Sequence, residues 1–137
     1  MYQSIRVRIR NTSSWIKTCA GVEVMKSDAF ILRNELLNDG CSIFLYFSRM
    51  YEKYVAYGYS AFVAVENCMP ANEALKESYS ANFQMPMVKV NRDQLALLRT
   101  KGLVMEDSSA DESYLHIQSF IPFDERKYEE WAHTLRG

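Results

Sequence analysis

The chain has 137 residues, of which 48% are hydrophobic and 24% charged, and its formal net charge is −1 at neutral pH. This length and composition can bury one self-sufficient core, which excludes a wholly disordered chain and predicts a single α+β domain over residues 1–137. The near-zero charge argues against a general nucleic-acid binder, because such a protein needs surplus lysine and arginine to displace counterions from phosphates.

The first predicted element is a strand over residues 3–10, where apolar β-branched residues alternate with arginines. Ile5, Val7 and Ile9 point to one side, and Arg6, Arg8 and Arg10 point to the other. A period of two is typical of a half-buried strand. Residues 11–14 are then predicted to form a turn, and residues 15–25 to be extended.

A helix is predicted next, with Ser27 or Asp28 as its cap and an end near Asn38. Gly40 supplies the left-handed stop after it. The apolar residues repeat at spacings of three and four and form a wide stripe, so we expect this helix to be well buried. The stripe consists of Ala29, Phe30, Ile31, Leu32, Leu36 and Leu37.

The most strand-like part of the sequence follows, and it predicts a long antiparallel hairpin. Residues 42–48 are almost all apolar or aromatic, Glu52 and Lys53 suit a turn, and residues 54–66 resume with Tyr, Val, Phe and Ala. Gly58 allows a bulge or bend in the second arm.

The region after the hairpin is predicted to alternate between helix and strand. A helix runs from Pro70 to about Ala81, and a strand covers residues 85–90. Pro86 within this strand favours a place at the sheet edge, because proline cannot donate to a ladder.

The C-terminal third contains a helix, a hairpin and a final helix. An amide variant of the capping box, Asn91 with Gln94, starts a helix that ends at Gly102. Residues 103–105 and 114–121 are predicted to form a hairpin around the acidic loop 106–112. A last helix follows Pro122, with Tyr128, Trp131 and Leu135 on one stripe.

Hairpins outnumber possible crossovers in this order of elements. The sequence therefore predicts an α+β fold: a mainly antiparallel mixed sheet with a central long hairpin, and three or four helices packed largely on one face.

Membrane and redox signals are weak. No stretch approaches the roughly 20 apolar residues of a membrane span, and the first residues lack the apolar run of a signal peptide, so a cytoplasmic protein is expected. Cys19, Cys41 and Cys68 form no Cys-x-x-Cys pair, which argues against a zinc ribbon or thioredoxin-like motif. We expect reduced and mostly buried thiols, with no metal and no cofactor.

Two groups of side chains are candidates for ligand binding. Arg6, Arg8 and Arg10 share a strand face at spacings of about 7 Å and could hold phosphates or carboxylates, although the favoured interpretation is a solvated outer face with bridges to acidic residues. Tyr54, Tyr57 and Tyr59 belong to a tyrosine-rich hairpin, with Tyr46 and Tyr51. Exposed aromatics could stack on bases or sugars or meet a partner; core packing is the alternative.

Residues suited to catalysis are few. His116 lies in an apolar alternation and His133 lies four residues after Glu129 on the last helix. Either histidine could pair with a carboxylate, and Cys41 or Cys68 could meet His116 as a thiolate–imidazole pair. Sequence spacing supports neither arrangement, so an enzyme is the less favoured class.

Charge is distributed unevenly along the chain. Residues 1–58 carry eight Lys/Arg and five Asp/Glu, whereas residues 106–137 carry three and eight. Opposite charges of this kind attract within one molecule or between two. An edge strand must also be covered, which favours a homodimer in which Trp15 and Trp131 could add apolar contacts.

The leading functional hypothesis is a non-catalytic module that binds a small molecule or a protein through the aromatic hairpin face, as a homodimer without membrane contact. The first alternative is a small enzyme with a Cys/His or carboxylate/His site. The second is nucleic-acid binding through Arg6, Arg8 and Arg10, which the net charge disfavours.

Overall fold

The computed structural model describes residues 27–68 and 75–137. In these ranges the elements are α1 (Asp28–Leu37), β1 (Ser42–Ser48), β2 (Lys53–Tyr57), α2 (Gly58–Cys68), β3 (Lys76–Ser80), β4 (Met85–Val90), α3 (Arg92–Lys101), β5 (Leu103–Val104), β6 (Tyr114–Gln118) and α4 (Glu125–Arg136). The predicted strand over residues 3–10 with Arg6, Arg8 and Arg10, the extended segment 15–25 with Trp15, and Cys19 lie outside the described residues.

The strands form one open sheet in the order β3-β4-β2-β1-β6-β5, and all neighbours are antiparallel. The β1–β2 hairpin lies at the centre of this sheet. The α+β fold, the mainly antiparallel sheet and the central position of the hairpin are therefore confirmed.

Three helices cover one face of the sheet, which we call the three-helix face. α2, α3 and α4 pack there on a core of strand residues, which includes Ile43, Leu45, Ala56, Val88, Val90, Leu115 and Ile117. These side chains are withdrawn from water almost completely. Burial of this apolar surface is the main source of stability for the sheet.

The opposite face, which we call the aromatic face, is covered in part by α1. Its side chains include Phe44, Tyr46, Val55, Tyr57 and Tyr114. The Phe30 ring of α1 lies edge-on to the rings of Tyr46 and Tyr114 at centroid distances of 6.2 and 5.0 Å. This edge-to-face geometry suits the charge distribution of aromatic rings.

Helix α1 has the predicted position but buries a different stripe. Ser27 caps it by accepting a bond from the Phe30 amide, and it ends at Leu37. Leu36 and Leu37 are 85% and 71% exposed, so the prediction of a well-buried apolar stripe is wrong. The buried positions are Ile31 and two asparagines, Asn34 and Asn38, which have hydrogen-bond partners in the sheet and in α2.

The hairpin is shorter than predicted. The turn with Glu52 forms as expected, and its φ of 54° is in the left-handed region. However, β2 ends at Tyr57, and residues 58–68 form helix α2 rather than the second arm of a long hairpin. Gly58, with a φ of 58°, is the point of change.

Two predictions between α2 and α3 are also wrong. Residues 76–80 form strand β3 instead of the second half of a helix from Pro70, and residues 69–74 lie outside the described part of the chain. The strand at Met85–Val90 is confirmed, but it lies between β3 and β2 rather than at the edge. Pro86 pairs with Tyr79 near one end of the β3–β4 ladder.

The C-terminal elements agree with the sequence. The capping box of Asn91 and Gln94 is present at the start of α3, and Gly102 ends that helix. In α4, Tyr128 is buried and Trp131 is partly buried against Phe62, at a ring distance of 5.5 Å. Within residues 27–68 and 75–137, no helix combines the length and the apolarity needed to cross a membrane.

Candidate functional site

Strands β1 and β6 bring a serine and a histidine together on the aromatic face. In β6 the core residues Leu115 and Ile117 point to the three-helix face, so His116 between them points the other way. The antiparallel register places His116 opposite Phe44, and Ser42 lies two residues before Phe44 on the same face. Ser42 is therefore a diagonal neighbour of His116 across the ladder.

The histidine bridges Ser42 and an aspartate. His116 Nε2 lies 2.8 Å from Ser42 Oγ, and His116 Nδ1 lies 2.9 and 3.1 Å from the two carboxylate oxygens of Asp107. A carboxylate can only accept, so Nδ1 carries a proton toward Asp107. In the neutral imidazole, Nε2 then has its lone pair toward the Ser42 hydroxyl, which is the tautomer that a general base requires.

The loop between β5 and β6 fixes the aspartate through backbone bonds on both sides of it. The Met105 amide donates to the His116 carbonyl at 2.8 Å, and the His116 amide donates to Ser108 Oγ at 2.9 Å. The Ser109 amide donates to the Tyr114 carbonyl at 2.8 Å. These bonds hold Asp107 beside the strand that carries His116.

The site is open toward solvent on one side and packed on the other. The Phe44 ring, which is buried, lies 4.5 Å from the imidazole centroid of His116. The His116 side chain is 16% exposed and that of Asp107 is 60% exposed.

A second polar cluster lies next to Ser42, between α1 and the start of α2. Ser60, which is fully buried, accepts bonds from the Phe44 amide (3.0 Å) and the Asn38 side-chain amide (3.1 Å). Its hydroxyl donates to Glu35 Oε2 at 2.5 Å, and its backbone amide donates to Glu35 Oε1 at 3.3 Å. The cluster joins helix α1 to the first turn of α2.

Burial dominates the ionisation of Glu35. Removal of water raises its pKa from the ordinary value of 4.5 to about 7, and the bonds from Ser60 oppose this rise without cancelling it. The carboxyl group therefore changes charge near neutral pH. It is connected to the Ser42 carbonyl through the hydrogen bonds of Ser60 and Asn38.

The tyrosines predicted to form a ligand surface occupy several environments. Tyr46 is buried and its hydroxyl accepts from Asn34 at 3.0 Å. Tyr57 is half-buried against Phe83, with ring centroids 4.8 Å apart. Tyr54 is half-buried and donates its hydroxyl to the Glu112 carbonyl.

The remaining two hairpin tyrosines lie elsewhere. Tyr59 is on α2 rather than on a strand, half-buried beside Phe123, and its hydroxyl bonds to Glu125 at 3.3 Å. Tyr51 is exposed at the hairpin turn, with the Lys89 ammonium 3.9 Å from its ring centroid. The five tyrosines thus form no single continuous surface.

The two cysteines in the described part of the chain, Cys41 and Cys68, lack the features of a nucleophile. Loss of hydration and the neighbouring Asp39 carboxylate raise the pKa of Cys41, which is exposed and not buried as predicted. Burial raises the pKa of Cys68, with Lys101 acting in the opposite direction. Both groups are therefore held as thiols at neutral pH, and His116 has Ser42 as its partner instead.

Sequence reasoning singled out His116 and the idea of a histidine–carboxylate pair, but it missed Ser42 and Asp107. Asp107 lies in the acidic loop of a predicted hairpin, so its closeness to β6 was accessible from the sequence. Ser42 was not, because its contact with His116, which lies 74 residues away in the sequence, depends on the register between two strands that are distant in the chain. His133 and Glu129, the other predicted pair, are exposed on α4.

Within the described residues, no group of three or more histidine, cysteine, aspartate or glutamate side chains has an arrangement that could hold a metal ion. Comparisons with protein-family models, curated proteins and solved structures found no match to this chain.

Proposed function

We propose that the protein is a serine-nucleophile enzyme that transfers or hydrolyses the acyl group of an activated ester. The single observation that carries the proposal is the continuous chain of hydrogen bonds from Asp107 through His116 to Ser42. Nucleophile, base and orienting carboxylate lie in the order and at the distances that acyl-transfer chemistry requires.

The reaction proceeds in two balanced steps. Ser42 Oγ attacks the acyl carbonyl carbon while its proton passes to His116 Nε2, and Asp107 stabilises the resulting imidazolium through Nδ1–H. The tetrahedral intermediate collapses with loss of the alkoxide, which takes the proton from His116, and leaves an acyl-Ser42 ester. Water or another hydroxyl then attacks this ester and passes its proton to His116. The second tetrahedral intermediate collapses with release of the acid or the new ester, and the departing Ser42 alkoxide takes the proton back from His116.

Exposure of the aspartate favours esters with good leaving groups over amides. Because the Asp107 carboxylate is 60% exposed, water screens its attraction to the imidazolium. The proton transfer to His116 is therefore less strongly assisted than it would be in a buried site. A phenolate or a similar weakly basic leaving group needs less assistance than an amine.

The surface beside Ser42 also favours an apolar acyl group. The ladder places Gln118 opposite Ser42 and Leu103 opposite Gln118, so the three side chains lie in one row on one face. Strand spacing puts the row's outer member about 10 Å from Ser42. Leu103 is exposed, and it offers an apolar contact at that distance.

A fluorophosphonate probe tests the nucleophile directly, because it reacts with activated serines. We expect stoichiometric labelling of the wild-type protein, located by peptide mapping to Ser42, and no labelling of Ser42→Ala. Ser48→Ala is the matched control, since Ser48 lies on the same strand and its hydroxyl accepts only a local bond from the Tyr51 amide. Equal labelling of wild type and Ser42→Ala would overturn the proposal.

A second candidate function is self-association. The sequence predicted a homodimer through an edge strand, whereas the surface that we propose here is the hairpin turn. The observation that favours it is an exposed apolar group at that turn: Phe47, Met50 and Tyr51, of which Met50 is 82% exposed. The partner that we propose is a second copy of the chain. Exposed apolar groups of this kind mark contact surfaces when they are contiguous.

Native mass spectrometry distinguishes this candidate. A dimer that Met50→Asp converts to monomer supports self-association at the hairpin turn, because a carboxylate buried there would lack a partner. A monomeric wild-type protein, or a dimer that Met50→Asp leaves unchanged, would contradict it.

A further inference from the structure

Among the residues that the structure describes, the start of strand β1 has no strand neighbour on one side. β2 ends at Tyr57, and the chain turns into α2 at Gly58, so no β2 residue continues the ladder beside the first residues of β1. Backbone groups on that side must find other partners, because unpaired buried amides and carbonyls are costly.

Two side chains replace the missing strand. Ser60 accepts the Phe44 amide at 3.0 Å, and the Asn38 side-chain amide donates to the Ser42 carbonyl at 3.0 Å. Ser42 is therefore held on the β6 side by its ladder with Gln118 and on the other side by Asn38.

The Asn38 amide has one orientation available. Its Nδ2 group donates to both the Ser42 carbonyl and Ser60 Oγ, while its Oδ1 accepts the Gly40 amide at 2.8 Å. A flipped amide would place an oxygen against the Ser42 carbonyl oxygen and an NH₂ group against the Gly40 amide. Asn38 is 8% exposed, so water does not compensate for these losses.

The bonds continue to a carboxyl group. Both acceptor positions of Ser60 Oγ are used by Phe44 and Asn38, so its single proton goes to Glu35. The line from Glu35 through Ser60 and Asn38 ends on the backbone of Ser42. Within residues 27–68 and 75–137, the ionisable groups on other elements that interact with the Glu35 carboxyl group include the hydroxyl groups of Tyr46 and Tyr128.

We propose that Asn38 is a positioning residue for the Ser42 nucleophile, which it keeps at hydrogen-bond distance from His116 by holding the Ser42 carbonyl. This inference rests on the proposed function. Asn38 touches neither the substrate nor the reacting atoms; it acts through the backbone of Ser42. Its effect should therefore appear in the rate of the chemical step rather than in probe binding.

The test compares two buried asparagines, Asn34 on helix α1 and Asn38 at the C-terminal cap of that helix. Asn38 and Asn34 are each 8% exposed and each donates a side-chain bond to β1, but Asn34 donates to the Tyr46 hydroxyl, away from Ser42. With a fluorophosphonate, Asn38→Ala should lower the saturating labelling rate at least about tenfold, with a half-saturating concentration within about twofold of wild type. Asn34→Ala should label at nearly the wild-type rate.

Stability is measured alongside by urea unfolding, and labelling is compared where each variant is folded. If Asn38→Ala does not fold, the labelling rate of Asn38→Asp is compared with that of the wild type instead. The aspartate keeps the bond to the Gly40 amide and loses the donation to the Ser42 carbonyl.

Three outcomes would overturn the positioning role. A folded Asn38 variant that labels at the wild-type rate would do so, as would an equal fall in both asparagine variants, since that would indicate a general loss of rigidity. Absence of Ser42 labelling in the wild-type protein would remove the proposed function and the positioning role together. The first two outcomes, in which the wild-type protein is labelled normally at Ser42, would remove the positioning role alone.

Discussion

At the scale of single residues, the proposed chemistry depends on two groups of hydrogen-bonded polar side chains. Ser42, His116 and Asp107 lie at the border between the aromatic core and solvent, and Ser60, Asn38 and Glu35 lie just beneath them. Neither group is distinguished by residue type in the sequence. Their importance follows from the hydrogen bonds that the fold gives them.

Glu35 predicts a pH-dependent stability. Its pKa in the folded protein, about 7, is higher than the ordinary value of 4.5, so the unfolded chain ionises first as pH rises. Its contribution to stability is therefore fully present below pH 4.5 and is lost as pH rises to about 7. The loss should be on the order of 3 kcal/mol, because one pKa unit corresponds to about 1.4 kcal/mol.

Glu35→Gln isolates this effect, since glutamine keeps an acceptor for Ser60 and does not ionise. Urea unfolding at pH 5 and pH 8 should show that wild type loses more stability than the variant over this interval. Parallel pH profiles of the two proteins would contradict the assignment of this titration to Glu35.

At the scale of elements, the type and position of a helix or strand were predicted correctly where its sequence contains a capping motif or a run of apolar residues. The Asn91–Gln94 capping box and Gly102 define α3, and the apolar run over residues 42–48 defines β1. Helix α2 was missed because it is buried on nearly all sides, so its apolar residues show no helical period. Strand β3 was missed because it is an exposed edge of sequence Lys-Glu-Ser-Tyr-Ser, with no apolar alternation.

The turn between α1 and β1 depends on Gly40. Its φ is 95°, and an added Cβ would lie 2.2 Å from Phe123 Cγ, so the glycine is required both for the backbone and for packing. Gly40→Ala should destabilise the protein by roughly 2 to 4 kcal/mol, which combines left-handed strain with overpacking. Thermal or urea unfolding measures this loss.

A Phe123→Ala background provides the control for Gly40→Ala. With the ring removed, the same substitution should cost less, because the contacts with the ring atoms are lost, while the backbone strain and the 2.6 Å contact with the Cβ of residue 123 remain. An equal cost in both backgrounds would mean that contact with Phe123 is not the cause.

At the scale of the whole molecule, the sequence predicted the fold class and the central hairpin, because hairpins and helix caps are local. It did not predict the candidate site, because that site depends on long-range register. The pairing of Phe44 with His116 sets Ser42 beside the imidazole, and a shift of one residue would move Ser42 to the other face. The apolar pattern of β1 and β6 fixes this register only once both strands share a core.

The whole molecule also accounts for the asparagines of α1. Sequence patterns assign leucines to the buried side of a helix, but α1 crosses the aromatic face where tyrosine hydroxyls and the end of β1 need donors. Asn34 and Asn38 meet that need, and Leu36 and Leu37 are left in solvent. The hydrogen-bond acceptors of the sheet therefore account for the orientation of the helix, which turns its asparagines rather than its leucines toward them.

The most direct test of the account is to trap the acyl-enzyme. The protein is incubated with p-nitrophenyl acetate, quenched in acid and mapped by peptide mass spectrometry. We expect one acetyl group on the peptide that contains Ser42, absent from both Ser42→Ala and His116→Ala and unchanged in Ser48→Ala. Acetylation confined to lysines, or a Ser42 adduct that persists at the wild-type level in His116→Ala, would contradict the claim that His116 activates Ser42.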